Sequence, residues 1–331
     1  MGTEPAGDGV SDLNATTQNS GQTLAYVGLV LTPLFWAGNA VVARGTVEHI
    51  PPLSMSFWRW VLALAIILPF GLPGIWRHRQ VIRQRLGSMI ALATFSVAAF
   101  NSLLYVAAMT TTATNIALIN ATIPIFVALL AWLLLGDRTR PIQILGIAMA
   151  LAGILCVIAR GDVSVLTGLQ AQPGDLVMVA AVFSWGLFSV LLRRQAVPLP
   201  ALTFLTTQIL LGTLILAPVY LLDFLFFSGG FALSQSTALP LIYFAIFPGI
   251  LAYAFWNHGV HSIGPARAAI FMYLTPVYAS VLAVVFLGES LSLFHLAGGL
   301  LILGGLILAT RTGRRLSRPP VTALDKGELN D

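Results

Sequence analysis

Charge is scarce in this chain: 9% of its 331 residues are Asp, Glu, Lys or Arg, while 57% are hydrophobic. A soluble domain carries about 25% charged residues. A soluble core cannot hide so much apolar surface, whereas runs of about 20 apolar residues match the hydrocarbon thickness of a bilayer. Cysteine is almost missing too, and Cys156 alone permits no internal disulfide and leaves the redox compartment unread. Phosphate-cradling loops, H-E-x-x-H, Cys pairs and a nucleophile elbow are absent, which argues against an ATP-driven pump and against an enzyme; no cofactor and no metal are expected. Carboxylates are missing from mid-membrane. All twelve acids (Glu4, Asp8, Asp12, Glu48, Asp137, Asp162, Asp175, Asp223, Glu289, Asp325, Glu328 and Asp331) fall in tails, loops or helix ends. Proton-driven pumps commonly relay through buried acids or His, so a facilitator or weakly coupled carrier is expected, with His258 and His261 the titratable groups nearby.

What is present is a series of apolar segments punctuated by Pro, Gly and charge. They fall at about 24–43, 53–72, 87–109, 113–135, 141–159, 174–192, 200–222, 238–258, 265–287 and 291–310. The expected fold is therefore all-α and integral to the membrane, with ten transmembrane helices. Residues 1–23 are polar, lack Lys, Arg and a secretory cleavage pattern, and read as a disordered tail. Residues 24–159 and 174–310 form two five-helix units, 160–173 a linker, and 311–331 a basic tail.

The two units are copies. Ala117, Pro124, Leu130, Ala131, Leu135, Gly136, Gly146, Leu151 and Gly153 recur without a gap at an offset of 152 residues, and Leu135-Gly136-Asp137 returns as Leu287-Gly288-Glu289. At an offset of 149, Trp36, Val41, Arg44, Pro51, Leu53, Leu62 and Pro69 match Trp185, Val190, Arg193, Pro200, Leu202, Leu211 and Pro218. With the amino terminus inside, fourteen of the seventeen basic residues lie on the cytoplasmic side, so both termini are expected there, in a cytoplasmic (inner) membrane. Five helices per copy then make the repeats inverted. Secondary transporters use that arrangement to build two openings around one midplane site, although channels use it as well.

Thr122-Ile123-Pro124 through Leu135-Gly136-Asp137, and Leu274-Thr275-Pro276 through Leu287-Gly288-Glu289, resemble the drug/metabolite transporter superfamily, EamA type, over about Leu24 to Thr310. Asp137 departs from the family's usual Glu but keeps the charge. Within that superfamily the chain looks most similar to the YddG-like exporters of aromatic and other amino acids. The resemblance implies a central cavity lined by helices 1 to 4 and 6 to 9, with helices 5 and 10 peripheral. It also implies export of small metabolites, chiefly amino acids of broad range, by alternating access.

Candidate site residues follow from chemistry that is costly in lipid. A mid-helix proline frees the carbonyl four residues earlier. Pro124 and Pro276 would free those of Asn120 and Met272, as hinges or as acceptors for a substrate ammonium; the alternative is a kink that only improves packing. Asn39, Asn101, Tyr105, Asn115, Asn120, Gln208, Tyr253, Asn257 and Tyr273 are polar at membrane depth. Singly each reads as interhelical glue worth about 0.6 kcal/mol; together they read as a polar cavity, and Asn bonds both ways, as a zwitterion requires.

Trp36, Phe95, Phe100, Phe183, Trp185, Phe188, Phe255 and Trp256 share these segments; Trp36 and Trp185, at matched repeat positions, read as cavity or gate. Trp58, Trp60 and Trp76 lie near segment ends and read as interfacial anchors. Arg59, a lone basic residue inside an apolar run, is either a partner for a substrate carboxylate or a snorkelling structural anchor, the second being preferred. Arg267, His258 and His261 line an inner mouth or are simply exposed. The basic stretch Arg77–Arg85 reads as a topology determinant or a contact with anionic lipid, not with nucleic acid. Gly146, Gly153, Gly298, Gly299, Gly304 and Gly305 offer surfaces for close helix approach, and the oligomeric state is left open.

Overall fold

The computed structural model describes residues 8–44, 50–287 and 292–310, all of them helix, turn or loop with no strand. The calls on Glu48, on Gly288-Glu289 and on the tail 311–331 lie outside the described residues. The long helices are α1 (Asp8–Arg44), α2 (Pro52–Arg77), α3 (Leu86–Ala108), α4 (Ala113–Leu135), α5 (Pro141–Ile158), α6 (Pro173–Gln195), α7 (Ala201–Ser228), α8 (Gln235–Ile263), α9 (Pro265–Phe286) and α10 (Leu293–Thr310). Among the described residues, α2 to α10 are nine helices long and apolar enough to cross a membrane, and α1 carries the apolar run at 24–43.

Local chemistry sets the helix ends. Thr112 Oγ1 accepts the Asn115 amide at the start of α4, and Gly136 closes that helix with φ 72°, a left-handed conformation that glycine adopts without strain. Pro141 and Pro173 open α5 and α6 in the first turn, where a missing N–H costs nothing. Several ends depart from expectation, among them those of α7, which runs to Ser228, and α8, which runs to Ile263. Helix α1 starts at Asp8, inside the presumed disordered tail, and α2 runs on to Arg77 through Pro69 and Pro73.

The exterior is as apolar as the core, and polar side chains are buried among the helices. Phe227 and Phe70 are 87% and 72% exposed on the outer faces, whereas Thr32, Ser54, Ser56, Ser96, Asn101, Gln208 and Asn257 are buried. Such a surface is stable against hydrocarbon, not water.

Small residues bring helices together. A Cβ on Gly146 would lie 2.6 Å from the Gly305 carbonyl oxygen, and one on Gly153 2.6 Å from that of Gly298, so α5 and α10 pack backbone to backbone, antiparallel. Gly71 and Gly74 on α2 receive Thr206 and Thr203 of α7, and one turn from the opposite end of the same antiparallel pair Phe57 stacks on Tyr220 at 4.3 Å.

Irregular backbone occurs at corresponding places in the two halves. Helix α3 contains a π-helical stretch, Thr94–Ala99, and α8 another, Ala245–Leu251. Helix α4 breaks at residues 121–122 and α9 tightens to a 3-10 turn at Phe271–Tyr273. Pro124 and Pro276 are therefore not mid-helix kinks: each lies in the first turn of a new segment, Ile123–Leu135 and Leu274–Leu287, where its missing donor is not needed.

Candidate functional site

The π-helical stretch of α3 organises the site, because a π-turn shifts the backbone register and releases carbonyls to side chains. The Ser96 carbonyl accepts the Tyr253 hydroxyl at 2.9 Å and the Asn101 amide at 3.4 Å, while the Phe95 carbonyl accepts Ser184 Oγ at 2.8 Å. Ser96 Oγ takes Gln208 Nε2 at 2.9 Å, and Gln208 Oε1 takes Asn257 Nδ2 at 2.9 Å. At the other end Asn101 Oδ1 accepts Arg59 Nη2 at 2.9 Å. A continuous polar seam thus runs Asn257, Gln208, Ser96, Asn101, Arg59 through helices α8, α7, α3 and α2.

Against this seam lies a box of rings centred on Trp185. Trp36, Phe100, Phe188, Trp256 and Tyr253 stand 5.2, 5.0, 5.2, 5.3 and 5.6 Å from it, centroid to centroid. Trp60 meets Tyr253 edge-on at 4.9 Å. The open space is beside the rings: a pocket of about 580 Å³ between α2, α7 and α8, with Asn257, Phe204 and Ile67 deep inside and Phe70, Leu202, His258 and His261 among the residues around it. That volume falls in the range of small-ligand sites, about 300–1,000 Å³.

Several buried polar atoms here have no partner. They are Trp60 Nε1, Trp185 Nε1, Trp256 Nε1 and Arg59 Nε among donors, Asn120 Oδ1 and Asn257 Oδ1 among acceptors, and the Tyr273 hydroxyl. Each costs free energy unless a ligand or water completes it.

The predicted residues separate into groups. Trp36, Asn101, Trp185, Phe188, Tyr253, Trp256 and Asn257 come together in the ring box and seam. Tyr105 is half-buried one turn beyond Asn101, and Asn39 half-buried one turn beyond Trp36. Asn120, Met272 and Tyr273 sit at the two helix breaks. Asn115 does not belong with them. Its amide bonds both oxygens of Asp175, at 3.0 and 2.9 Å, and the Gln170 carbonyl at 3.1 Å, which ties it to the first turn of α6, about 15 Å of helix from Trp185.

Arg59 and Trp60 correct the reading of α2. Arg59 is 3% exposed and lies over the Trp60 ring at 4.7 Å, so it turns inward rather than snorkelling, and Trp60 is fully buried rather than interfacial. Trp58 and Trp76 are exposed, as interfacial anchors require. Ser96 was missed because a lone serine in an apolar run carries no signal of a π-turn. His258 and His261 do line the pocket, and Arg193 Nη1 donates to the His261 carbonyl beside it.

Ten long helices with an apolar exterior, a buried polar seam and a pocket leading to it define a multi-pass integral membrane protein of the transporter class. Sequence comparison makes the assignment specific: the chain belongs to the EamA-like transporter family, which it matches twice, over residues 23–159 and 172–311. It is 28% identical over 291 residues to the "Uncharacterized transporter YyaM" of Bacillus subtilis (strain 168), covering 86% of this chain and 93% of that one. It is also 28% identical over 289 residues to a "Probable amino-acid metabolite efflux pump" of Salmonella typhimurium, covering 84% and 92%. A solved crystal structure shares the fold with a TM-score of 0.71 at 22% identity, over 88% of this chain and 97% of that one.

Proposed function

We propose that this EamA-family transporter exports neutral and aromatic amino acids by alternating access, from a cytoplasmic membrane in which both termini face the cytoplasm. The observation that carries the substrate class is the set of unpartnered buried atoms: donors on Trp185 and Trp256, whose rings pack together, an acceptor on Asn257, which lines the pocket, and another on Asn120 at the α4 break. A zwitterion with an apolar side chain satisfies both kinds of atom and stacks on the rings. The Salmonella relative's name, a probable amino-acid metabolite efflux pump, supports amino acids in general as the substrate.

Alternating access is supported by contacts that map onto each other under the repeat offsets. Shifted by 152, the Gly146–Gly305 contact of α5 with α10 becomes Gly298–Gly153, the second contact of the same pair. Shifted by 149, Gly71–Thr206 becomes Tyr220–Phe57, the ring stack at the far end of α2 and α7. Contacts that exchange in this way are those of a two-fold axis between antiparallel copies, the geometry of an inverted repeat. Pro124 and Pro276, beside the two helix breaks, serve as its hinges.

Counterflow in proteoliposomes tests the proposal. Vesicles are preloaded with one unlabelled amino acid at a time, and uptake of labelled phenylalanine is followed without an ion gradient. Transient accumulation with several neutral or aromatic amino acids is expected; none with any of them, from folded protein, overturns the substrate class or the gradient-independent mechanism.

A further inference from the structure

We propose that Arg59 is the carboxylate anchor of the transport site, an inference that rests on the transporter reading and names which end of the substrate is read, and by what. Among the described residues Arg59 is the one charged side chain withdrawn from the surface. Among the described residues its guanidinium meets no carboxylate: Nη2 bonds the neutral Asn101 amide oxygen, its face covers Trp60, and Nε is buried without a partner. A guanidinium held in a ring-lined interior without an anion is a site awaiting one.

The neighbouring side chains point to the same ligand chemistry. Ser56, Arg59 and Trp60 occupy positions i, i+3 and i+4 of α2, one face of the helix, and Ser56 Oγ, Arg59 Nε and Trp60 Nε1 are all buried and unpartnered. Trp60 leads through Tyr253 to Trp185, whose own Nε1 is also free. Three unpartnered donor atoms thus share one face of α2, while Asn257 Oδ1, an unpartnered acceptor, lies across the seam on α8. Asn101 Oδ1 holds the position of a carboxylate oxygen. On binding, the substrate carboxylate takes the Arg59 bond from Asn101, and the polar seam connects that exchange to Asn257 at the pocket. Arg is suited to this role because its planar fork matches a carboxylate and its face stacks on a ring.

The test uses the purified full chain and its tryptophan fluorescence, since Trp60 lies under Arg59. Three probes with the same phenyl body are titrated at neutral pH: 3-phenylpropanoate, its uncharged carboxamide, and 2-phenylethylamine. The acid is expected to saturate at concentrations about 10- to 100-fold below the carboxamide, the difference one charge-assisted bond makes, and the amine to bind no better than the carboxamide. Arg59→Gln should erase the preference for the acid, and Arg59→Lys should retain part of it.

Equal binding of acid and carboxamide to the wild type overturns the proposal, as does absence of saturable acid binding, and neither result depends on a variant folding. A folded Arg59→Gln protein that keeps the acid preference also overturns it and leaves Arg59 a structural anchor. Acid preference without amino-acid counterflow would leave the anchor standing and move the substrate class to other organic acids. Counterflow without acid preference would overturn the anchor alone.

Discussion

Trp185 is where affinity and stability can be separated, because its ring is packed on five others while its Nε1 has no partner. Trp185→Ala empties the box and should lower the thermal stability of the purified protein by about 3–5 kcal/mol. Trp185→Phe keeps an aromatic ring and strands no bonded group, so its stability loss should be much smaller. If Nε1 serves substrate, the same variant should weaken counterflow affinity about tenfold, one hydrogen bond's worth; unchanged affinity would assign Trp185 to packing alone. Gln208→Leu is the converse case. It leaves Asn257 Nδ2 and Ser96 Oγ without their shared partner and should cost about 1–3 kcal/mol in thermal unfolding even where the leucine fits. The aromatics and Asn257 were legible in the sequence because polar atoms in an apolar run are costly and Trp36 and Trp185 occupy matched repeat positions. The inward turn of Arg59 and Trp60 was not. When every face of a helix is apolar, the pattern carries no rotational phase, and only the neighbouring helices decide which side is inside.

At the scale of elements, two glycine contacts hold α5 to α10 and give a sharp internal control. A Cβ at Gly305 would meet the Gly146 carbonyl oxygen at 2.5 Å, whereas one at Gly299 meets nothing within 4 Å. Gly305→Ala should therefore lower the melting temperature of the purified protein, and Gly299→Ala should leave it unchanged or raise it, since alanine favours helix by about 1 kcal/mol over glycine. Equal effects would mean that α5 and α10 do not meet as described. The existence of this glycine surface was readable from its spacing of seven residues, but its partner was not, because small residues state how close a neighbour comes and not which neighbour it is. Prolines misled the boundaries in the same way. The expected segment 53–72 stops just before Pro73, yet α2 continues past it to Arg77, with Gly71 and Gly74 against threonines of α7; in lipid a proline is tolerated when neighbouring groups take up the backbone it frees.

For the molecule as a whole, the duplicated pattern was visible from sequence and returns as two family matches, over 23–159 and 172–311, whereas the conformational state was not encoded in any motif, because it depends on which end of the bundle is packed shut. The pocket is lined at one end of α8 by His258 and His261, with Val197 and Leu199 from the α6–α7 connection beside them. At the opposite end of α8, Tyr243 stacks on Phe247 at 5.2 Å and donates to the Phe35 carbonyl at 3.3 Å, and Phe35 packs on Phe247 at 5.4 Å. Under the topology proposed above, in which the basic loops put the histidine end in the cytoplasm, this conformation corresponds to a carrier open inward and closed outward. In a Cys156→Ser background, His261→Cys should react with an impermeant maleimide in inside-out vesicles and not in right-side-out ones, while Tyr243→Cys should react slowly from either side. Saturating the inner face with a transported amino acid should slow labelling at residue 261 and speed labelling at residue 243 from outside, as the population shifts to the outward-open form. Labelling of His261→Cys from the outer face would invert the topology, and substrate-independent labelling at both positions would replace alternating access with a static pore.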